Sequence, residues 1–267
     1  MSGRRYMPVP GDVVQVHILE DGQALVERIE PRRATMERRS AAGRAKTMAA
    51  NVDLLVAVTA LADPPPRPVT LDQLLAFAQL EEIEAAVVFT KPDLAEPHRS
   101  SELFEVYSAL RYPTLCINPK LGERVDELRV LLRGRHAMLV GNSGVGKSTI
   151  YRALGGEGAV GEVSRHGLGR QTTTTARLYR LDGGFLIDSP GINEFGLGEI
   201  DAPTLAYGFR EISPLAPACR FTDCTHLNEP DCAVKLAAAD GRVAQSRYDS
   251  YRRILLAALD TRRATLI

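Results

Sequence analysis

The sequence predicts an α/β fold: a parallel sheet covered by helices on both faces, with a small β-rich unit ahead of it and a Cys/His-rich helical unit behind. Three observations predict it. Near-continuous apolar strands alternate with helical stretches from Asn51 to about residue 150, short alternating strands fill residues 9–50, and three of the four cysteines crowd into Cys219–Cys232.

In the front unit, DVVQVHIL (12–19) and QALVERIE (23–30) alternate apolar and polar residues and are joined by Asp21-Gly22, a hairpin turn signal. From Arg28 to Lys46 the chain carries seven Lys or Arg against two Glu, a basic block hidden by a net charge of zero. In the centre, strands are expected at VDLLVAVT (52–59), EAAVVFT (84–90), TLCIN (114–118) and HAMLVG (136–141). Helices are expected near 71–82, 101–110 and 123–133, and another begins in the glycine-rich loop at 141. Strands apolar on both faces and separated by helices indicate a parallel sheet buried on both sides. DPPPRP (63–68) is a stiff connector, since each proline lacks an N–H and fixes φ. After FLIDSPG (185–191) the β/α rhythm fades, which suggests units at 1–50, 51–212 and 213–267.

The 267 residues, 45% hydrophobic and 25% charged, suit a folded globular protein and exclude fibrous, collagen-like and disordered classes. No stretch approaches the roughly 18–20 apolar residues of a membrane helix, and MSGRRYMPVPGD has no apolar signal core. The expectation is a cytoplasmic monomer with reduced thiols and no membrane partner.

Residues 141–148, GNSGVGKS, match G-x-x-x-x-G-K-[ST] between an apolar strand and a helix, the context a phosphate loop needs. Backbone N–H groups of Gly141, Asn142, Ser143, Gly144, Val145, Gly146 and Thr149 form the cradle, Lys147 reaches the β and γ phosphates, and Ser148 ligates Mg²⁺. LIDSPG ends a strand with Asp188, placed to hold the magnesium through water, followed by Gly191, whose N–H can meet a γ-phosphate. Between them GRQTTTTA (169–176) offers a threonine hydroxyl as second magnesium ligand, Thr173 by preference and Thr172 next.

TKPD (90–93) follows a buried strand directly, where strand ends open onto a ligand crevice. Asp93 can accept from the N1–H and 2-amino group of guanine, whereas adenine would leave the carboxylate unpaired. The Lys91 stem lies along the base, and Thr90 stands where the motif more often has Asn, without that amide's bridging bonds. The base motif precedes the phosphate loop, the reverse of the Ras-type order, so the expected sheet is that of a GTPase with its old termini joined and new ones cut elsewhere. The segment after DSPG then leads straight into the Cys/His region and can pass nucleotide state to it. A small-molecule P-loop kinase and a non-hydrolysing GTP-dependent RNA-binding module are the rival readings. The first would leave TKPD and the threonine loop without a task.

Cys219, Cys224, His226 and Cys232 spell C-x₄-C-x-H-x₅-C, a closed Cys₃His set of the composition found in structural zinc sites. Cys116, inside TLCIN, reads as core. Near the C-terminus, Tyr251, Ile254, Leu255 and Ala258 share one helical face and leave Arg252 and Arg253 for solvent or phosphate.

The sequence resembles the circularly permuted GTPases, and among them the ribosome-small-subunit-dependent GTPase A family. VPGD, NVD, TKPDL, GNSGVGKST, GRQTTTT, DSPGINEFGL, CRFTDCTHLNEPDCAV and RYDSY carry the resemblance over nearly the whole chain. The resemblance implies an N-terminal OB-fold, a permuted GTPase domain and a C-terminal zinc domain. It also implies late 30S assembly with GTP/GDP, the small subunit and its rRNA as partners. Two departures stand out. Gln171 occupies the histidine position of the family's threonine loop, and Ile192 follows DSPG where Ras-type enzymes place their water-orienting Gln. Gln171 is therefore the expected water-positioning residue, and Lys147 on the phosphates and Thr173 on the magnesium complete the expected catalytic set. An OB barrel has five strands, and residues 1–50 supply about three, so the barrel is expected to be OB-like and incomplete.

Overall fold

The computed structural model describes residues 8–39, 45–155, 161–163, 176–188, 197 and 200–265. Among these, the main sheet has seven strands in the order β7-β6-β5-β8-β11-β10-β9. They are β5 (Leu54–Ala60), β6 (Glu84–Thr90), β7 (Thr114–Ile117), β8 (His136–Val140), β9 (Gly161–Val163), β10 (Ala176–Leu181) and β11 (Gly184–Asp188). Four strands precede the sheet: β1 (Val14–Ile18), β2 (Ala24–Ile29), β3 (Thr35–Arg39) and β4 (Ala45–Ala50).

From β7 through β11 the sheet is parallel, while β10 and β9 run antiparallel at one edge. The sheet is thus mixed rather than parallel throughout. The reason is local: Asp182 and Gly183, both at positive φ (39° and 82°), make a two-residue turn from β10 to β11, and such a turn can only join antiparallel strands.

Chain order and spatial order part company at the centre. β5, β6 and β7 step outward to one edge, then β8 returns beside β5, and the chain proceeds through β11 on the other side. Connections from β5 and β8 leave in opposite directions, so the crevice at their carboxyl ends is a topological switch point.

Every residue of β5 is buried, and alternate residues serve two cores. Leu55, Ala57, Val87, Phe89, Met138 and Val140 face α1 (Pro68–Leu80) and α2 (Pro97–Ala109). Leu54, Val56, Val88 and Leu139 face α3 (Val125–Leu132) and α4 (Lys147–Ala153). Both α1 and α2 begin several residues earlier than periodicity suggested. Pro68 and Pro97 occupy their first turns, where a missing N–H removes no intrahelical bond.

The front unit forms two separate antiparallel ladders, β1-β2 and β3-β4, so among the described residues a closed OB-like barrel is not shown. Part of the basic block is the β3-β4 ladder itself. This ladder is tied to the main sheet: Met36 and Ala49 enter the α1/α2 core, and Asn51, at φ 55°, accepts from the Arg33 N–H and donates to the Gly11 carbonyl. Asp12 of VPGD accepts from Arg32 in two bonds and from the Val9 N–H. By contrast the β1-β2 ladder leaves Val16, Ile18 and Leu25 exposed.

A third core joins α5 (Ala202–Tyr207), α6 (Ala233–Ala239) and α7 (Gln245–Thr265) through Leu205, Phe209, Ile212, Val234, Tyr251 and Leu255, with Ala76 of α1 against them. The predicted apolar face of α7 is buried, and Arg252 and Arg253 are exposed. Ahead of residue 213, α5 packs between α1 and α7 in this core and not on the sheet. At the seam between α1 and α7, the Arg247 guanidinium bonds Asp72 of α1 and both carboxylate oxygens of Glu211, with the Phe209 ring 4.5 Å away. Tyr107 of α2 donates to Asp72 as well. Among the described residues no helix is long and apolar enough to cross a membrane.

Candidate nucleotide and metal sites

The phosphate loop leaves β8 and closes against the end of β5. A Cβ on Gly141 would sit 2.1 Å from the Val58 carbonyl oxygen, so only glycine lets the loop approach so closely. Gly146, at φ 97°, turns the chain into α4. The Lys147 ammonium donates to the Gly141 and Asn142 carbonyls at 2.6 and 2.8 Å, which folds the side chain across the loop it serves. Ser148 is exposed and Thr149 half-buried at the start of α4.

TKPD meets this loop from two strands away. Thr90, the last residue of β6, is fully buried, and its hydroxyl donates to the Val145 carbonyl at 2.6 Å. A bridging bond between base motif and phosphate loop is therefore present, which the sequence reading had denied to a threonine. The hydroxyl reaches because the end of β6 lies close enough that a shorter side chain suffices. Lys91, at φ 57°, donates to the Asp63 carbonyl in the proline-rich connector, and Pro64 of that connector lies near Gly144. Asp93 is exposed and accepts from the Asn118 side-chain amide at 3.0 Å.

Asp188 ends β11, next to β8, and its backbone pairs with Arg177. Tyr151 of α4 donates to the Ile187 carbonyl at 2.8 Å, which ties the acid-bearing strand to the phosphate-loop helix. The Asp188 side chain and residues Gln171, Thr172, Thr173 and Gly191 lie outside the described ones. The structure thus brings Thr90, Lys91 and Asp93 to the crevice with residues 141–149 and the end of β11. Asn118 was missed by sequence reasoning because one asparagine after a short strand carries no motif. The Asp72–Arg247–Glu211 seam was missed because its members are far apart in the chain.

The four cysteine-cluster residues converge. Cys219 Sγ lies 3.5 Å from His226 Nδ1 and 3.8 Å from Cys232 Sγ, and His226 Nδ1 lies 3.4 Å from Cys232 Sγ. All four ligand atoms, with that of Cys224, fall within 4.8 Å of one another. A tetrahedron with metal–sulfur bonds near 2.3 Å and metal–nitrogen bonds near 2.0 Å has edges of about 3.5–3.8 Å. The set can hold one metal ion. Burial pushes the Cys224 thiol up to about 12 and lowers the His226 pKa, keeping the imidazole in its neutral, ligating form. A divalent cation would supply the charge that lets buried thiols ionise.

Around the cluster, Tyr248 donates to the His226 carbonyl and Tyr251 to the Thr225 carbonyl, so the buried face of α7 supports the ligand loop. Glu229 accepts from the Thr225 N–H and hydroxyl and from the N–H groups of Leu227 and Asn228. Burial works against its charge, yet these bonds hold its carboxyl down to about 2. Cys116 is half-buried against the α1/α2 core, consistent with packing rather than ligation.

The model of the RsgA GTPase family matches residues 29–198. A Pseudomonas fluorescens protein named "Small ribosomal subunit biogenesis GTPase RsgA" is 39% identical over 259 residues, covering 94% of this chain and 75% of its own. A Moorella thermoacetica protein of the same name is 37% identical over 247 residues, covering 91% and 82%. Among solved structures, YjeQ from Thermotoga maritima superposes with a TM-score of 0.76 at 30% identity, over 96% of this chain and 86% of that one. YloQ, described as a circularly permuted GTPase, gives 0.73 at 25% identity, over 96% and 83%. With the phosphate loop and base motif joined across a sheet whose spatial order departs from chain order, the chain belongs to the RsgA GTPase family.

Proposed function

We propose that the chain hydrolyses GTP as a late-stage maturation factor of the small ribosomal subunit, working in the cytoplasm as a monomer, with turnover releasing it from the subunit. The observation that carries this reading is the Thr90–Val145 bond, which joins base motif to phosphate loop, in a chain whose relatives are named for biogenesis of that subunit. Lys147 and the amides of residues 141–149 hold the phosphates, Asp93 reads guanine and Lys91 flanks the base. Mg²⁺ would be held by Ser148, by Thr173 and, through water, by Asp188, with Gly191 meeting the γ-phosphate. Zinc is the metal we assign to Cys219, Cys224, His226 and Cys232, in a structural role, since all four positions are filled by protein. The β unit ahead of Asn51 is read as OB-like and, with its basic block, as a contact for rRNA.

Gln171 is proposed to orient the attacking water. Gln171→Ala should lower kcat severely and leave nucleotide affinity nearly unchanged; equal turnover in variant and wild type would end that assignment. The function itself is tested by phosphate release from GTP and from ATP, with and without purified small subunits. GTP-only release, slow alone and many-fold faster with subunits, is the expected result. Release from both nucleotides, or no response to subunits, would overturn it.

A further inference from the structure

Tyr151 stands on α4 three residues past Ser148, just under one turn, and is 4% exposed. Its ring lies in the core on the α3/α4 side of the sheet, with Leu186 of β11, and packs against Tyr179 of β10 with ring centroids 5.0 Å apart. An aliphatic side chain could meet that packing. The hydroxyl does something further. Buried among apolar groups, it donates at 2.8 Å to the Ile187 carbonyl, which belongs to the peptide bond joining Ile187 to Asp188. β11 pairs with β8 as far as Ile187 with Met138, two residues short of the end of β8. Tyr151 therefore secures β11 where its pairing with β8 stops.

We propose that Tyr151 is a positioning residue for GTP hydrolysis: its hydroxyl holds the Ile187–Asp188 peptide against α4 and so sets the spacing between Ser148 and Asp188. The proposal rests on the reading of these two residues as holds for the magnesium of a bound nucleotide. Their chemistry fits that ion, since hydroxyl and carboxylate oxygens are the donors Mg²⁺ takes. Mg²⁺ also demands near-ideal octahedral geometry with bonds of about 2.0–2.1 Å, so it tolerates little change in the spacing of its holds. Apolar burial is non-directional and does not by itself fix how far along a strand a helix sits. An O–H···O bond does, because it weakens steeply with distance and angle. The tie falls one residue from the acid on β11 and one turn from the hydroxyl on α4, so it acts on the spacing of the two and not on either group directly.

The test titrates Mg²⁺ against binding of a fluorescent, non-hydrolysable GTP analogue to the full metal-loaded chain and to Tyr151→Phe, Tyr179→Phe and Ser148→Ala. Tyr151→Phe keeps the ring and removes only the hydroxyl. It should raise the half-saturating Mg²⁺ concentration about 5–10-fold, as expected for losing one buried hydrogen bond, and leave affinity in Mg²⁺-free buffer within about 2-fold of wild type. Turnover at limiting Mg²⁺ should fall by the same factor and recover with excess Mg²⁺, a rescue that general loosening of the core would not give. Tyr179→Phe, which alters the other ring of the pair, should leave the Mg²⁺ dependence unchanged. An unshifted Mg²⁺ dependence in Tyr151→Phe, an equal loss of binding with and without Mg²⁺, or the same shift in Tyr179→Phe overturns the positioning role. Ser148→Ala judges the underlying reading separately: it should abolish the Mg²⁺-dependent gain in affinity, and an intact gain there would sink the magnesium reading and this proposal with it.

Discussion

The nucleotide crevice and the α1–α7 seam use the same chemistry to opposite ends. In the crevice, Asp93 and Ser148 are exposed, and Asp93 accepts a single hydrogen bond from Asn118 that leaves it bonding capacity for a ligand. At the seam, Arg247 is 1% exposed and Asp72 is fully buried, and the guanidinium bonds Asp72 and Glu211 with no solvent to share it. Carboxylates left half-solvated can recognise something else. Carboxylates sealed against a cation can only specify how two helices meet, and burial raises the Asp72 pKa even with Arg247 beside it. The seam also joins α1, whose preceding connector runs beside the phosphate loop, to α7, whose other residues support the metal loop.

The comparison is broken most severely at the metal. Chelation, or Cys232→Ser, should unfold residues 219–241, since metal binding in isolated zinc peptides is worth on the order of 10 kcal/mol. Hydrogen exchange should show protection lost there and in α7 while β5, β6 and β8 stay protected. Next comes the seam. Arg247→Ala leaves two buried carboxylates without their cation and should lower stability by about 3–5 kcal/mol in urea unfolding, with GTP affinity in the residual folded protein unchanged.

Glu229 lies between the two regimes, half-buried but with its bonds satisfied inside the protein. Its folded pKa of about 2 lies below the ordinary 4.5, so its contribution is fully present above about pH 4.5 and is lost as pH falls toward 2. Discounted for partial exposure, that contribution is on the order of 1–2 kcal/mol. Glu229→Gln should therefore be less stable than wild type at pH 7, and the gap in unfolding midpoint should narrow below pH 4.5. The smallest effect is expected in the crevice. Thr90→Val keeps the shape and removes the donor to Val145, so nucleotide should bind about 5-fold more weakly and stability should fall by about 1 kcal/mol.

Much of the fold was legible in the chain because it rests on local patterns. Strands apolar on both faces had to lie inside a covered sheet. A glycine loop between strand and helix had to present its N–H groups. Four ligands within fourteen positions, Cys219 to Cys232, had to meet. Where local pattern was weak, reading fell short: Asp182-Gly183 passed unnoticed and with it the antiparallel edge, and proline at a helix start hid the first turns of α1 and α2.

What the sequence by itself determined is the inventory: a phosphate-loop motif, a TKPD motif, a set of four metal-binding side chains, and an order of motifs that only a permuted sheet can reconcile. These follow from short-range spacing, where covalent geometry limits the outcomes. The tertiary structure alone decided the partnerships: Thr90 with Val145, Asn118 with Asp93, and Arg247 with Asp72 across 175 positions. Such pairs are set by how strands and helices pack, and a polar side chain's partner is chosen by proximity in space, of which the linear chain carries no direct record.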